Sequence, residues 1–388
     1  MAKSLLLHIG DPKTGSSSIQ EVMRNRLWLS PEVKVAYPDQ LNSFPLANAI
    51  SDPKQADQCE ARYSKLGEWL GTSDAEVAVV SAEQFFRVDP QVLLETLTQY
   101  MPAYVPGLRV VAYVRPHASR FLSAYMQRTK AGMFQGDMDT FLARTTGEQL
   151  LHFAPRFDRW RAVFGDRFTL RPMIRDQLRD GDVVADFLNV VVKGAPFTLR
   201  GAVQANASLP LEYVAAMREV QAVLKRNTIQ AGTRHAVGDH LGRALAAKFP
   251  GAGTRLQVST ALYDQIRAHC LADAQALDAA FFDTPLMTQA LDLAAADATA
   301  AAQPSDAAAH YTPETIQTIR QTARKLVAMF KKRPGAWTNA YEREIGQRTT
   351  PPGAKPPPPP VRMNIDRING VMADLTATIG RLAGSGGA

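Results

Sequence analysis

Residues 8–20 read HIGDPKTGSSSIQ, so two glycines bracket a lysine and a threonine and three consecutive serines follow. An apolar stretch, Ser4–Ile9, precedes this segment, and a helical pattern starts at Ser17. A strand-to-helix turn of this kind presents backbone N–H groups and the positive end of a helix to an anion. Gly10 and Gly15 allow the backbone to approach closely, while Ser16, Ser17 and Ser18 supply caps and hydroxyl donors. The same residues also suit a plain serine-rich turn that binds nothing. A triphosphate-binding loop carries its lysine immediately after the second glycine. Ser16 stands there instead, the lysine is Lys13 inside the loop, and no acid at a strand end is poised to hold Mg²⁺. A nucleotide triphosphatase is therefore disfavoured.

A second segment, 110–127, reads VVAYVRPHASRFLSAYMQ: an apolar strand, an arginine at its carboxyl end, then a helix. Open parallel sheets bind ligands outside the carboxyl ends of their strands. Arg115 at such an end, with Ser123 on the following helix, is placed to fork onto a phosphate. Arg120 is read as structural, pairing with a nearby carboxylate.

In these two segments the sequence resembles sulfotransferases that use 3′-phosphoadenosine 5′-phosphosulfate (PAPS), bacterial members similar to the carbohydrate-type enzymes. HIGDPKTGSSSIQ is similar to the family's 5′-phosphosulfate loop. That likeness implies that Lys13 is the catalytic lysine and that Thr14, Gly15, Ser16, Ser17 and Ser18 cradle the 5′-phosphate. The segment at 110–127 is similar to the 3′-phosphate motif, which implies that Arg115 and Ser123 bind the 3′-phosphate. Where the family often has an acid just before the second arginine, this chain has Ser119, a departure that bears against a local salt bridge there and not against the phosphate contacts. Residues 168–188, 206–209 and 273–282 also look like the family's continuation, so the resemblance covers about residues 1–290. It implies in-line transfer of a sulfuryl group from PAPS to an acceptor hydroxyl, with the context of Glu83 pointing to a carbohydrate or glycolipid, and with no metal. The product of the cofactor is adenosine 3′,5′-bisphosphate.

Such a transfer needs a base for the acceptor proton. The stretch VAVVSAEQFF puts Glu83 just past a strand, and the resemblance to carbohydrate sulfotransferases implies Glu83 as that base. A helix-start carboxylate favoured by the dipole is the other reading. His8 is the second candidate, its ordinary role being a hydrogen-bonded structural histidine. His117, in the Arg115 turn, would face the nucleotide. His152, His235, His240, His269 and His310 show no metal spacing with an acid.

The elements that must position these residues alternate in the first half of the chain. Strands are expected at Ser4–Ile9, Val33–Tyr37, Val77–Ser81, Leu108–Val114 and Arg167–Arg171, several of them continuous apolar runs suited to burial on both faces. Helices are expected at Ser17–Leu29, Cys59–Leu70, Pro90–Tyr100, Ser119–Ala131 and Leu150–Phe164. The alternation predicts an α/β fold, a P-loop-like open parallel sheet flanked by helices; the resemblance implies that of the sulfotransferases. A helical C-terminal extension follows. Residues 1–290 form the expected catalytic domain, with 201–290 mainly helical (Leu211–Leu224, His235–Phe249, Val258–Phe282) and on the acceptor side. Residues 291–312 read as an alanine-rich linker, 313–348 as a basic helical extension, 349–361 as a proline-rich extended tether, and 362–388 as an amphipathic helix with a flexible end. Loops 38–58 and 128–148 would help shape the acceptor pocket.

The chain has 388 residues, 46% of them hydrophobic and 21% charged, which excludes wholesale disorder. No apolar run reaches the ~18–20 residues of a membrane span, and the N-terminus lacks a signal peptide's apolar core, so a cytoplasmic protein is expected. The two cysteines, Cys59 and Cys270, exclude a disulfide scaffold and read as apolar fillers. Twelve of the 44 basic residues and five of the 37 acidic ones lie in 313–388, leaving 32 of each elsewhere. The net charge of +7 thus belongs to the tail, and nucleic-acid binding is not expected. In that tail Ile316, Ile319, Ala323, Leu326 and Phe330 line a helix face beside Lys325, Lys331, Lys332 and Arg333. This suits packing on the rest of the chain or lying on an anionic membrane. Ile365, Ile368, Met372, Leu375, Ile379 and Leu382 form a heptad seam, for folding back or for a homo-oligomer. Two rival functions stay open: a P-loop-type kinase or NTPase, and a non-catalytic nucleotide-binding scaffold.

Overall fold

The computed structural model describes residues 4–200, 209–348 and 356–382. Residues 206–208 of the NASL stretch, 349–355 of the proline-rich stretch and 383–388 lie outside the described residues. In chain order the elements are β1 (Ser4–His8), α1 (Ser16–Arg24), β2 (Trp28–Leu29), β3 (Val35–Ala36), α2 (Phe44–Ser51), α3 (Cys59–Thr72), β4 (Val77–Ser81), α4 (Pro90–Tyr100), β5 (Leu108–Val114), α5 (His117–Lys130), α6 (Met138–Gly147), α7 (Ala154–Phe164), β6 (Phe168–Pro172), α8 (Val183–Val191) and β7 (Thr198–Leu199). Seven helices follow: α9 (Leu211–Arg226), α10 (Ala231–Lys248), α11 (Thr260–Phe281), α12 (Leu286–Leu293), α13 (Pro313–Lys332), α14 (Ala336–Glu344) and α15 (Pro359–Leu382). This is the expected α/β class with a helical C-terminal part.

Two compact units divide the chain: Met1–Arg120, Leu150–Asn206 and Arg267–Leu293 form the first, and Phe121–Gln149, Ala207–Ile266 and Ala294–Ala388 the second. The first holds a five-stranded parallel sheet in the order β3-β4-β1-β5-β6. β1 lies centrally, with His8 level with Ser81 of β4 on one side and Val111 of β5 on the other. Its strands are apolar on both faces because both are covered. Leu6, Val79, Val111 and Tyr113 pack with Ile19, Val22 and Met23 of α1 and Val184, Phe187, Leu188 and Val191 of α8. Leu5, Leu7, Val80 and Val110, pointing the other way, are equally buried. This topology brings the carboxyl ends of β4, β1 and β5 side by side.

The expected helix Ser17–Leu29 is shorter than its periodicity suggests. It stops at Arg24, because Arg26 takes a left-handed φ of 52° while Arg26 N–H donates to the Met23 carbonyl and Leu27 N–H to that of Val22. That is a Schellman ending built without glycine. Trp28 and Leu29 then pair antiparallel with Leu199 and Thr198.

In the second unit, α13 buries Ile316, Ile319, Ala323, Leu326 and Phe330 and packs on α9 and α15. Its lysines Lys325, Lys331 and Lys332 are exposed. The heptad face of α15 is covered in the same way, with Ile368, Met372, Leu375 and Ile379 buried and the helix packed on α13, α10 and α14. Both apolar faces are therefore covered by helices of the second unit. A correction applies to the proline run: α15 begins at Pro359, so Pro359 and Pro360 are helical and not extended. A first helical turn tolerates proline because its N–H groups have no intrahelical acceptor. Among the described residues no helix is long and apolar enough to cross a membrane. Burial pushes the Cys270 thiol up to about 12 and that of Cys59 upward, in keeping with unreactive fillers.

Candidate functional site

The loop after β1 continues the parallel ladder by one bond, from Ile9 N–H to the Val111 carbonyl, and then leaves the sheet. Gly10, Lys13 and Gly15 all take positive φ, at 63°, 74° and 82°. Thr14 Oγ1 closes the loop by donating to the Asp11 carbonyl at 2.6 Å. Gly15 is the N-cap of α1 and offers no side-chain cap. A Cβ on Gly15 would stand 2.6 Å from Val183 Cγ1, so glycine is required there by space as well as by φ. Ser16 is buried and its Oγ has no hydrogen-bond partner. Ser17 is exposed and Ser18 half-buried. The loop thus offers the uncapped start of a helix and an orphaned buried hydroxyl, both suited to an anion.

Glu83 opens the turn Glu83–Arg87 that follows β4. Ala82 N–H donates to the His8 carbonyl, which fixes this turn beside the end of β1. Gly10 packs directly on Glu83. Burial raises the Glu83 carboxyl above its ordinary value; Lys13 opposes this, Asp11 adds to it, and Arg120 and Arg87 oppose it again. Lys13 and Glu83 are thus electrostatic neighbours. Helix α2 occupies much of the expected loop 38–58 and packs on the Glu83–Arg87 turn, with Ser43 N–H donating to the Ser81 carbonyl.

Arg115 leaves the end of β5 and reaches the loop, Nη1 donating to the Lys13 carbonyl at 3.2 Å and Nε to Ser119 Oγ at 3.1 Å. Ser119 therefore holds the Arg115 guanidinium by its Nε. Burial lowers the Arg115 pKa, and the neighbouring Arg120 lowers it further. Arg120 is structural, as anticipated: its Nε lies 3.1 Å from Asp11 Oδ2. Arg156 Nη1 pairs with the other oxygen, Asp11 Oδ1. Sequence reading missed both Asp11 and Arg156. They are 145 positions apart, and no local pattern announces the pair. Ser123 lies in the second turn of α5 and is buried; its assignment rests on the sequence motif alone.

His8 is wholly buried, with Tyr113 and Phe187 against its ring, on the α8 side of the sheet. Its Nδ1 shares a hydrogen bond of 2.8 Å with Ser81 Oγ, which also accepts from Gln20 Nε2 at 3.1 Å. Burial lowers its pKa to about 3, so the ring stays neutral and ties β1 to β4. His117 is buried as well, Nε2 lying 2.9 Å from Asp273 Oδ2 and the ring against Phe153. Lys13, Glu83, Arg115 and residues 14–16 are thus gathered at three adjacent strand ends, whereas His8 is set into the core.

No protein-family model matches the chain, and no curated protein matches it. Among solved structures it is similar to a sulfotransferase from Alicyclobacillus acidocaldarius, at 13% identity and a TM-score of 0.42, over 74% of this chain and 99% of that one. It is also similar to the signal recognition particle 54 kDa protein from Aeropyrum pernix K1 in complex with GDP, at 12% identity and a TM-score of 0.22, over 98% of this chain and 78% of that one. Neither likeness bears on what the site does.

Proposed function

We propose that the chain is a PAPS-dependent sulfotransferase whose acceptor is a hydroxyl of a carbohydrate or glycolipid. The observation that carries this reading is the meeting of a loop lysine, a raised carboxyl and a strand-end arginine at the ends of β1, β4 and β5. The loop fits a phosphosulfate in its residue types, its uncapped helix start and the orphaned Ser16 hydroxyl. When bound, PAPS supplies an activated sulfuryl group whose leaving oxygen belongs to the 5′-phosphate.

Each residue then has a defined task. Thr14, Gly15, Ser16, Ser17 and Ser18 hold the 5′-phosphate through the loop and the start of α1. Lys13 supplies positive charge where negative charge grows, which fixed donors in a water-poor site do to the extent of several kcal/mol. Arg115 and Ser123 hold the 3′-phosphate. Glu83, half-buried and raised in pKa, accepts the acceptor's hydroxyl proton on a carboxylate oxygen. His8 serves as a structural tie between strands.

The test is transfer of labelled sulfate from PAPS to a panel of saccharides and glycolipids, with wild type and Lys13→Ala in parallel. Labelled product from wild type, reduced about 100-fold or more in Lys13→Ala, is the expected result. Equal turnover by the variant overturns the role of Lys13. Transfer to none of the acceptor classes, with no slow transfer to water, overturns the activity.

A further inference from the structure

Asp11 is an odd residue to find in an anion-binding loop, since its charge opposes the ligand. The structure neutralises it: the side chain is fully buried and held by Arg120 and Arg156 together. Its carbonyl takes the Thr14 hydroxyl, so Asp11 and Thr14 close a short turn around Lys13. Within that turn Lys13 sits at a φ of 74°, in the left-handed region that residues with a side chain rarely adopt. Strain of this kind persists where the surroundings over-determine it. Here they do so from two sides, through the Asp11 ion pairs and through Arg115 on the Lys13 carbonyl.

Arg156 reaches further than the loop. Its guanidinium lies over the ring of Phe86, 5.4 Å from the centroid, and Phe86 belongs to the turn that carries Glu83. One side chain therefore touches both the lysine loop and the turn of the carboxylate. Its own base is fixed too. Asp273 accepts Phe153 N–H at 2.9 Å and Ala154 N–H at 3.0 Å, capping α7, and binds His117 Nε2 at the start of α5.

We infer that Asp11 and Arg156 are positioning residues, whose ion pair holds Lys13 in its left-handed conformation and sets the loop against the Glu83–Arg87 turn. This rests on the sulfotransferase reading for what the positioned lysine does, and on the geometry alone for the positioning itself.

The experiment uses the full chain and the variants Asp11→Asn, Arg156→Gln and Arg156→Lys. Hydrogen exchange is followed in residues 9–19 and, as an internal reference, in β5, while adenosine 3′,5′-bisphosphate binding is measured by calorimetry. The expected result is a selective rise, about tenfold, in loop exchange for Asp11→Asn and Arg156→Gln, with a comparable loss of bisphosphate affinity. Arg156→Lys keeps the charge and regains most of both. Loop exchange that rises no more than exchange in β5, or a lysine that restores nothing, overturns the inference. Where Asp11→Asn does not fold, the Arg156 pair decides alone. A selectively loosened loop in a chain whose wild type binds no bisphosphate upholds the positioning and defeats the sulfotransferase reading.

Discussion

The backbone of Gly10 rests on Glu83: a Cβ added at Gly10 would stand 2.8 Å from the Glu83 Cα and 2.9 Å from its Cβ. Two segments 73 positions apart along the chain are thereby pressed together where the lysine loop meets the carboxylate turn. Gly10 also has a φ of 63°, which side chains rarely adopt. Gly10→Ala therefore meets both a clash with backbone and a conformational penalty, together roughly 2–4 kcal/mol. The expected outcome is a melting temperature lowered by several degrees and a sharp fall in transfer. A variant with wild-type stability would show that the loop and the turn are not in contact.

The raised carboxyl of Glu83 gives the reaction a pH signature. A base works only when ionised, so the rate should climb with pH through a midpoint above the ordinary glutamate value of ~4.3. In stability the sign is opposite. A carboxyl raised on folding favours the native state below its unfolded pKa, and that benefit disappears as pH rises through the folded value. Glu83→Gln should abolish transfer, yet gain melting temperature relative to wild type at pH 7 more than at pH 4. Melting curves at the two pH values, beside a pH–rate profile, check both halves; an acid limb unchanged in the variant contradicts the assignment.

His8 titrates in the other direction. Its folded pKa is about 3 against ~6.5 unfolded, so the unfolded chain takes up a proton first as the solution is acidified. The contribution is full above the unfolded value and is lost progressively from there down toward pH 3. Between pH 6.5 and 5 this amounts to up to ~2 kcal/mol. His8→Gln, which cannot titrate, should be less sensitive to acid over that interval in urea unfolding. Parallel curves for wild type and variant would place the ring in water and not in the core.

Removal of α15 should be far more damaging than its place at the end of the chain suggests. Ile368, Met372, Leu375 and Ile379 are all fully buried. At about 1.5–3 kcal/mol for each buried side chain, they rival the total stability of an ordinary domain. Gly380 adds to the fit, since a Cβ there would stand 2.0 Å from the Phe249 ring. A chain ending at residue 355 is expected to lose the cooperative unfolding transition of the second unit in calorimetry. Survival of that transition would mean that the heptad face packs elsewhere.

Much of the architecture around the site is legible in the chain itself. Val77–Ser81 and Leu108–Val114 are continuous apolar runs because both faces of their sheet are covered, and their strand limits agree with the structure. The loop stands out because Gly10, Lys13 and Gly15 occur within six residues. What escaped reading is mostly tertiary. The Asp11–Arg156 pair joins distant positions, and Arg26 ends α1 in a conformation that normally calls for glycine. Helix α8 is a different case: Asp182 caps it by accepting from Val184 and Ala185 N–H, ahead of an apolar run. Asp182 followed by that apolar run is a helix-start signal carried by the sequence itself. The start of α15 at Pro359 reflects a rule about first turns that a count of prolines hides.

The central claim is a site for an adenine nucleotide that carries both a 5′- and a 3′-phosphate. Thermal unfolding of the purified chain with adenosine 3′,5′-bisphosphate, beside 5′-AMP and ATP–Mg²⁺, tests it most directly. Ligand at 100 times its dissociation constant stabilises the native state by about 2.7 kcal/mol. The account predicts a clear upward shift with the bisphosphate, a smaller one with 5′-AMP, and loss of the difference in Arg115→Ala. No shift with the bisphosphate, or a larger one with ATP–Mg²⁺, would contradict it.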